Sequence, residues 1–210
     1  MTIMIDRPTE TMKASSGGEA SKAGSFEELC RLLPELHVPD GYRAEIIRGS
    51  IVVSPWSQGY YAPIIWAICE HLQPFAPEGH KAASTPYLFT FPASERAYGP
   101  DVYVADASAF RTRSRYIEGE ALSLVAELTS IATRANDLSD KAEVYGKSGV
   151  PVYLLLDMQN ETTTVFWTPS SRGYVSHLTV PFGEKVHIPA PFDCELDTAS
   201  FAAPEDESES

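Results

Sequence analysis

Apolar residues recur along the chain with two different periods, and the two periods predict a mixture of helices and strands. Apolar positions three or four residues apart indicate helices, whereas short apolar or alternating runs between turn residues indicate strands. Helices are predicted at residues 26–35, between 57 and 72, and at about 137–148. Strands are predicted at residues 42–48, 51–54, 81–91, 101–106, 121–128, 152–156, 163–167, 173–180 and 185–188.

Particular residues support the ends of several elements. Ser25 and Glu28 have the spacing of a capping box at the start of the first helix. Gly49-Ser50 is a plausible two-residue turn between the first two strands, and Asn136 or Asp137 can cap the third helix. The order of elements predicts a mixed α/β domain with a central sheet flanked by helices, followed by additional antiparallel strands.

The two ends of the chain lack these patterns. Residues 1–24 are rich in Ser, Gly, Ala, Thr and charge without periodicity, so we expect a disordered leader. Residues 202–210 hold four acids and no base, which predicts an acidic tail. One domain is therefore expected over residues 25–201, in keeping with a chain of 210 residues.

Composition indicates an ordinary globular domain outside the membrane. Apolar residues are 43% of the chain and charged residues 21%, which allows a substantial core. No run approaches about 18 apolar residues, as a membrane-spanning helix needs, and the first residues make a poor signal peptide. The cysteines Cys30, Cys69 and Cys194 are far apart in the chain and are expected to be reduced thiols, which predicts a cytoplasmic setting.

Net charge limits the partners that the protein can hold. The chain carries −13 at pH 7, whereas phosphate contacts need Lys and Arg. The charge argues against a broad basic face and against tight non-specific DNA binding. One basic cluster, formed by Arg111, Arg113 and Arg115, falls in a predicted loop, where it can contact phosphates or simply be solvated.

Two acidic residues lie at the ends of predicted strands. Asp101 opens the strand at 101–106, and Glu127 lies near the end of the apolar strand at 121–128. If these strands are antiparallel, the two acids become neighbours. Buried carboxylates repel each other unless a cation lies between them, and carboxylate oxygens are ligands that Mg²⁺ prefers. The pattern predicts a divalent-metal site.

A lysine and a further acid are placed to join that site. Asp137 and Lys141 are four residues apart, which puts both on one face of the third helix. Because this helix soon follows the Glu127 strand, Lys141 is expected to reach a metal-bound water or a phosphate. The alternative is that Asp137 caps the helix and Lys141 is its exposed partner.

An ordered set of short motifs spans roughly residues 26–190. The motifs are Tyr42-Arg-Ala-Glu45, Gly49-Ser-Ile-Val-Val-Ser54-Pro55, Pro100-Asp101-Val102, Val125-Ala-Glu127-Leu-Thr-Ser130, Asp137-Leu-Ser-Asp-Lys141, Tyr145, Gly149-Val150 and Tyr153-Leu-Leu-Leu-Asp157. Each motif alone is weak, but the ordered set resembles the Uma2 (DUF820) family of restriction-endonuclease-like proteins. The resemblance implies a fold of the PD-(D/E)XK nuclease superfamily.

The resemblance also implies a site and an activity. Glu45, Asp101 and Glu127 would bind Mg²⁺ or Mn²⁺, and Lys141 would position or activate water. The chain is then expected to be a metal-dependent endonuclease that hydrolyses phosphodiester bonds in DNA through a metal-bound water. A homodimer would let such a nuclease cut both strands.

The sequence departs from the family pattern at three places. Thr129 stands two residues after Glu127, where the superfamily has its lysine, and Lys141 resembles a relocated lysine. The His that often begins the helix after Ser-Pro is absent, which leaves its role to Gln58 or a tyrosine. Ser50 replaces an acid in the first hairpin.

Structural explanations compete with the functional ones. Glu45 can face solvent and pair with Arg43 or Arg48, and Asp101 can be a turn residue after Gly-Pro. The aromatic residues beside the first hairpin can stack bases or pack in the core, and they are Trp56, Tyr60 and Tyr61. The alternative function is a catalytically silent nuclease-fold domain that binds nucleic acid or protein.

Overall fold

A computed structural model of the protein describes residues 3–5, 25–38, 40, 42–55, 58–129 and 137–204. Helix α1 is Phe26–Leu32, α2 is Tyr61–Leu72 and α3 is Ala142–Lys147. A π-helix, Asp137–Lys141, leads directly into α3. Short 3₁₀ turns occur at Leu33–Glu35, Gln73–Phe75, Pro92–Ser94, Ala107–Phe110 and Gly119–Ala121. None of the helices in these ranges is long and apolar enough to cross a bilayer.

The strands form two six-stranded sheets and a separate hairpin. The first sheet has the order β1 (Ile3–Ile5), β3 (Ser50–Pro55), β2 (Tyr42–Ile47), β6 (Arg96–Tyr98), β5 (Leu88–Phe91) and β8 (Tyr116–Glu118). The second has the order β12 (Gly173–Pro181), β11 (Thr162–Ser170), β10 (Val152–Asp157), β9 (Leu122–Leu128), β7 (Val102–Asp106) and β4 (His80–Ala83). The hairpin is β13 (Lys185–Ile188) with β14 (Cys194–Asp197). Each large sheet contains both parallel and antiparallel pairs.

The predicted mixed α/β class is confirmed, although the core has two large sheets. The sheets share a core in which β5 and β6 of the first pack against β7, β9 and β10 of the second, together with α3. Helix α2 and the β13–β14 hairpin cover the other face of the second sheet. Helix α1 covers the other face of the first sheet. Side chains between the two sheets are therefore shielded from water on both sides.

Several predicted elements are confirmed. Helix α1 has the capping box, in which Ser25 and Glu28 each accept the other's backbone N–H. The apolar face of α2 buries Tyr61, Ile64, Ile68 and Leu72. Strands β7, β9 and β10 lie where the sequence predicts them, as do the first three strands after β10.

Other predictions are corrected by the structure. The predicted strand 81–91 is two strands, β4 and β5, in different sheets, because the chain between them contains Pro86, which lacks a backbone N–H. The sequence pattern does not predict strands β6, β8 and β14, since runs of three or four residues carry little periodicity. The first hairpin turns at Arg48-Gly49, because Ile47 pairs with Ser50. Both turn residues have positive φ, 51° and 73°, which suits the twist of a hairpin.

The structure describes only part of the predicted leader and of the predicted tail. Ile3–Ile5 pair with β3 as an edge strand, so the prediction of disorder is wrong for those three residues. Edge strands offer unpaired backbone groups, and a short β-prone run can bind there. The rest of the leader, residues 205–210 of the tail, and Trp56, Ser57 and Asn136 lie outside the described residues.

Helix α3 packs unusually closely on the β11–β12 hairpin. A Cβ atom added at Gly146 would lie 2.5 Å from the carbonyl carbon of Gly173, so a larger residue cannot be accommodated without movement. Gly173 itself has a φ of 104°, a conformation open mainly to glycine. Two glycines therefore set the distance between this helix and the second sheet.

Candidate functional site

Strand alternation turns the acidic residues toward the space between the two sheets. On β2, Arg43 and Glu45 share a face with Ile47, which packs in the core between the sheets. On β9, Glu127 shares a face with Val125, which belongs to the same core. Glu45 is 2% exposed and Glu127 is fully buried. The suggestion that Glu45 faces solvent is therefore wrong.

Antiparallel pairing brings Asp101 beside the Glu127 strand, as predicted. Val102 of β7 lies opposite Ala126 of β9. Asp101 Oδ2 accepts a hydrogen bond of 2.8 Å from the backbone N–H of Leu128, next to Glu127. The Asp101 carboxylate therefore links the start of β7 to the end of β9 instead of capping a solvent-facing turn.

The ammonium group of Lys141 lies among three carboxylates. Its Nζ atom is 3.0 Å from Glu127 Oε1, 3.1 Å from Asp137 Oδ1 and 3.4 Å from Glu45 Oε1. The side chain is 1% exposed. Burial acts to lower the pKa of Lys141, but the three acids outweigh it and hold that pKa well above its usual value. The alternative of an exposed lysine is wrong.

A second cation, Arg43, completes the cluster. Its Nη1 donates to Asp101 Oδ1 at 2.8 Å and to the carbonyl of Gly99 at 3.3 Å. Glu45 Oε1 accepts the backbone N–H of Gly99 at 2.8 Å. Burial acts to raise the pKa of Glu45, but Lys141 and Arg43 outweigh it and keep that pKa below its usual value. We call these six residues the carboxylate cluster: Arg43, Glu45, Asp101, Glu127, Asp137 and Lys141.

Glu127 is incompletely hydrogen-bonded within the carboxylate cluster. Its Oε1 accepts hydrogen bonds from Lys141 and from the phenol of Tyr145, each at 3.0 Å. Its Oε2 is buried and has no hydrogen-bond partner among the described residues. Burial is the main cause that raises the pKa of Glu127, to about 8. The nearby acids also raise this pKa, whereas the attraction of Lys141 opposes the shift.

A cleft of about 760 Å³ opens onto one side of the carboxylate cluster. Arg43, Glu45 and Asp101 line it, whereas Glu127 and Lys141 lie outside its lining. Gln58, one of the candidates to replace the absent His, also lines the cleft. The remaining walls are mostly apolar and come from α2, β2, the chain before β5, the chain before β8 and the segment 33–38 after α1.

Comparisons with known proteins agree with this architecture. The family model described as "Uma2: Putative restriction endonuclease" matches residues 25–199. The chain belongs to the Uma2 family. A crystal structure of a putative nuclease belonging to DUF820, from Anabaena variabilis ATCC 29413, is similar in fold, with a TM-score of 0.65 and 17% identity. The similarity covers 84% of this chain and 96% of that one. No curated protein matches the sequence.

The carboxylate cluster of this Uma2 protein suits a divalent cation by charge. It holds four carboxyl groups and two cationic side chains, and one buried carboxylate oxygen lacks a hydrogen bond. A cation placed among such acids relieves their repulsion. Among the described residues, however, no three acidic, His or Cys side chains are arranged as a ready set of metal ligands. Lys141 and Arg43 occupy carboxylate oxygens that a metal would use.

Thr129, which stands two residues after Glu127, has a structural role. Its hydroxyl accepts the backbone N–H of Met158 at 3.1 Å and lies 3.2 Å from Gln159 Oε1. Its backbone N–H donates to Leu156, and its carbonyl accepts the phenol of Tyr61. A lysine here would lose the two contacts of the hydroxyl. The cation that contacts Glu127 in this structure is Lys141, from the π-helix.

The π-helix holds Lys141 in place through its neighbour Asp140. Asp140 accepts hydrogen bonds from Arg48 (2.9 Å), Arg96 (3.1 Å) and Tyr98 (2.6 Å). We call these four residues the Asp140 lock. The ring of Tyr98 also lies 5.5 Å from the Lys141 ammonium. π-Helical turns are frequent at functional sites, and here the turn directs two adjacent side chains into two ionic clusters.

Three residues of the site were not assigned from the sequence. The sequence suggests Arg43 only as a partner for Glu45 and Tyr145 only as one of the ordered motif positions, and it assigns no role to Asp140. Arg43 lies two residues from Glu45 on one strand, and Tyr145 lies four residues from Lys141 on one helix. These spacings place each on the same face as an assigned residue, and they were the available signal.

Proposed function

We propose that this Uma2 protein is a metal-dependent endonuclease that hydrolyses phosphodiester bonds in DNA. The observation that carries the proposal is the convergence of Glu45, Asp101, Glu127 and Lys141, from separate strands and a helix, beside a cleft. These are the residue types that phosphodiester hydrolysis with Mg²⁺ or Mn²⁺ requires. Family membership supports a nuclease, and the metal, the DNA substrate and the residue roles are the proposal.

Each residue has a distinct task in the proposed reaction. Asp101, Glu127 and Glu45 would hold the cation, and Lys141 would hold the Glu127 carboxylate and stabilise negative charge on the phosphate. When bound, the cation would polarise a water and offset the charge of the phosphate. The water oxygen bonds to phosphorus, one ester P–O bond breaks, and the leaving oxygen gains a proton, which yields a phosphate monoester and an alcohol.

Arg43 is the cation with access to the cleft. Its side chain is 15% exposed, against 1% for Lys141, and the guanidinium geometry suits a phosphate as well as a carboxylate. We propose that Arg43 exchanges its contact with Asp101 for the scissile phosphate when the cation binds. This exchange would free Asp101 Oδ1 as a ligand.

Calorimetric titration of Mn²⁺ into the full chain tests the metal site. We expect saturable binding to the wild type, loss of that binding in Glu127→Gln, and no change in Glu143→Gln, an acid on α3 whose side chain is 55% exposed. Cleavage of plasmid DNA should follow the same order. Wild-type Mn²⁺ affinity in Glu127→Gln would rule out this metal site.

A catalytically silent nuclease-fold domain that binds nucleic acid is the second candidate. It is favoured by the burial of Glu127 and Lys141 and by their mutual ion pair, which a substrate does not reach in this arrangement. The two functions separate in one experiment. DNA binding without Mn²⁺ binding and without cleavage would support the silent domain.

Two further parts of the proposal concern the setting of the protein. We propose a cytoplasmic location, supported by three cysteines that are all free thiols in the structure. We also propose a homodimer when both strands are cut. Sedimentation of the protein with and without duplex DNA tests the dimer, and a monomer on a cut duplex would contradict it.

A further inference from the structure

The cleft beside the carboxylate cluster differs from an ordinary DNA-binding groove. Nucleic-acid grooves carry many Lys and Arg side chains because every phosphate needs a counter-charge. In this cleft, four of the described lining residues carry charge, namely Arg43, Glu45, Asp101 and Arg115, and they balance to zero. A duplex backbone laid along these walls would lose its hydration and gain two arginines at most as cationic partners.

The cleft walls have instead the chemistry of a site for a planar aromatic group. Four tyrosines line it, Tyr42, Tyr61, Tyr87 and Tyr116. Tyr61 and Tyr116 are held in place through their phenols, which donate to backbone carbonyls of Thr129 and Cys30. A nucleobase has two apolar faces that stack on such rings and polar edges that hydrogen-bond.

One of the tyrosines is both anchored and accessible. Tyr87 is 39% exposed, and its ring contacts that of Phe110 edge to face at 5.1 Å between centroids. It precedes β5 and lines the same cleft as Asp101. A base stacked within this cleft would bring its own phosphate toward Arg43 and the acids.

We propose that the cleft takes an unpaired nucleotide of a DNA strand, and that the substrate is DNA with an unpaired nucleotide. The volume of about 760 Å³ lies in the range of sites for single small molecules. Enzymes that act on an unpaired base hold it in such a pocket between aromatic and apolar side chains. This inference rests on the proposed nuclease function, since the phosphate beside the acids would be the one cut.

Binding of short DNA to the full chain in EDTA tests the inference without any need for metal or cleavage. Fluorescence anisotropy compares a paired duplex, the same duplex with one unpaired nucleotide, a single strand and a free deoxynucleoside monophosphate. We expect the unpaired-nucleotide duplex and the single strand to bind at least about tenfold more tightly than the paired duplex, equivalent to about 1.4 kcal/mol. Equal binding of the paired duplex would overturn the proposal.

Variants of Tyr87 identify the cleft as the binding place. Tyr87→Ala should weaken binding of the unpaired-nucleotide duplex about tenfold and leave the affinity for the paired duplex unchanged. Tyr87→Phe should retain stacking and therefore the wild-type affinity. The control is Trp66→Ala, since Trp66 is 60% exposed and lies outside the cleft lining. Equal losses in Tyr87→Ala and Trp66→Ala would overturn the proposal.

The remaining outcomes separate this inference from the nuclease function. A monophosphate that binds as tightly as the strand would overturn the inference, because the cleft would then take a free nucleotide. A preference for unpaired DNA with no cleavage under Mn²⁺ would leave the cleft inference standing and would reject the nuclease. Cleavage by the Mn²⁺-loaded protein without a preference for unpaired DNA would reject the cleft inference and leave the nuclease function standing.

Discussion

Two adjacent residues of the π-helix, Asp140 and Lys141, enter ionic clusters of opposite character. In the Asp140 lock, one carboxylate is surrounded by two arginines and a tyrosine phenol. In the carboxylate cluster, one ammonium group is surrounded by three acids, and Arg43 and Asp101 form a second pair beside them.

The pKa values of the two carboxylates express this difference. Although burial acts to raise it, the hydrogen bonds from Arg96, Tyr98 and Arg48 lower the pKa of Asp140 to about 2. The pKa of Glu127 is raised to about 8, chiefly by burial. A carboxylate with enough donors is a structural element, whereas a buried carboxylate that lacks them is a candidate for chemistry. Position in the chain does not separate the two cases, but the number of donors does.

Removal of the Lys141 charge should lower the free energy of unfolding more than any other substitution in the two ionic clusters. Lys141→Met keeps the length of the side chain but leaves Glu45, Glu127 and Asp137 without their shared cation. Breaking a buried ion pair from one side costs about 3–5 kcal/mol of unfolding free energy. Urea unfolding at neutral pH measures the change.

The matched control for that variant is Lys147→Met. Lys147 pairs with Glu143 at the surface, where its side chain is 40% exposed, so we expect a change within about 0.5 kcal/mol. Equal losses in both variants would show that the burial of Lys141 has no energetic consequence.

Asp140→Asn should have the next largest effect, about 1–3 kcal/mol at neutral pH, because charged hydrogen bonds are lost. The folded pKa of about 2 lies below the ordinary value of 3.8. The stability that Asp140 contributes is therefore present above the ordinary value and is lost as pH falls through 2. Thermal unfolding between about pH 4 and pH 2 should show a smaller decline in the variant. Asp193→Asn, at a side chain 84% exposed, should match the wild type.

Glu127→Gln should become more stable relative to the wild type as pH rises. The folded pKa of Glu127 is raised to about 8 from 4.5, so the wild type loses stability between these values as pH increases. The variant lacks this loss, and we expect its stability relative to the wild type to increase by about 4 kcal/mol from about pH 5 to about pH 9. Urea unfolding of both proteins across this pH range measures the difference. Parallel pH profiles of stability would contradict the raised pKa.

Within the Asp140 lock, the two arginines should differ. The Arg48 side chain is 65% exposed, against 15% for Arg96. Arg48→Ala should therefore cost less than about 1 kcal/mol, as exposed ion pairs do, whereas Arg96→Ala should cost more. Thermal unfolding of the two variants side by side measures the difference, and a larger loss for Arg48→Ala would contradict the assigned burial.

The sequence could predict the fold class and the acids but not their partners. Apolar runs located β9 and β10 because both are buried along their whole length. The pairing of Asp101 with the Glu127 strand followed from the antiparallel arrangement. The partners of Arg43 and Arg48 could not be predicted in this way. These contacts depend on how Gly99–Asp101 and the π-helix fold back onto the first sheet. Such contacts join residues 58 and 92 positions apart.

Because α3 packs closely on the β11–β12 hairpin, the ion pairs of the carboxylate cluster depend on the absence of a side chain at position 146. Lys141 enters the acids from the turn that precedes α3, and the distance of α3 from the second sheet is limited by Gly146 against Gly173. One added carbon at position 146 would push the helix outward and draw the ammonium group away from Glu127. A residue outside the carboxylate cluster would then control whether three buried carboxylates keep their counter-charge.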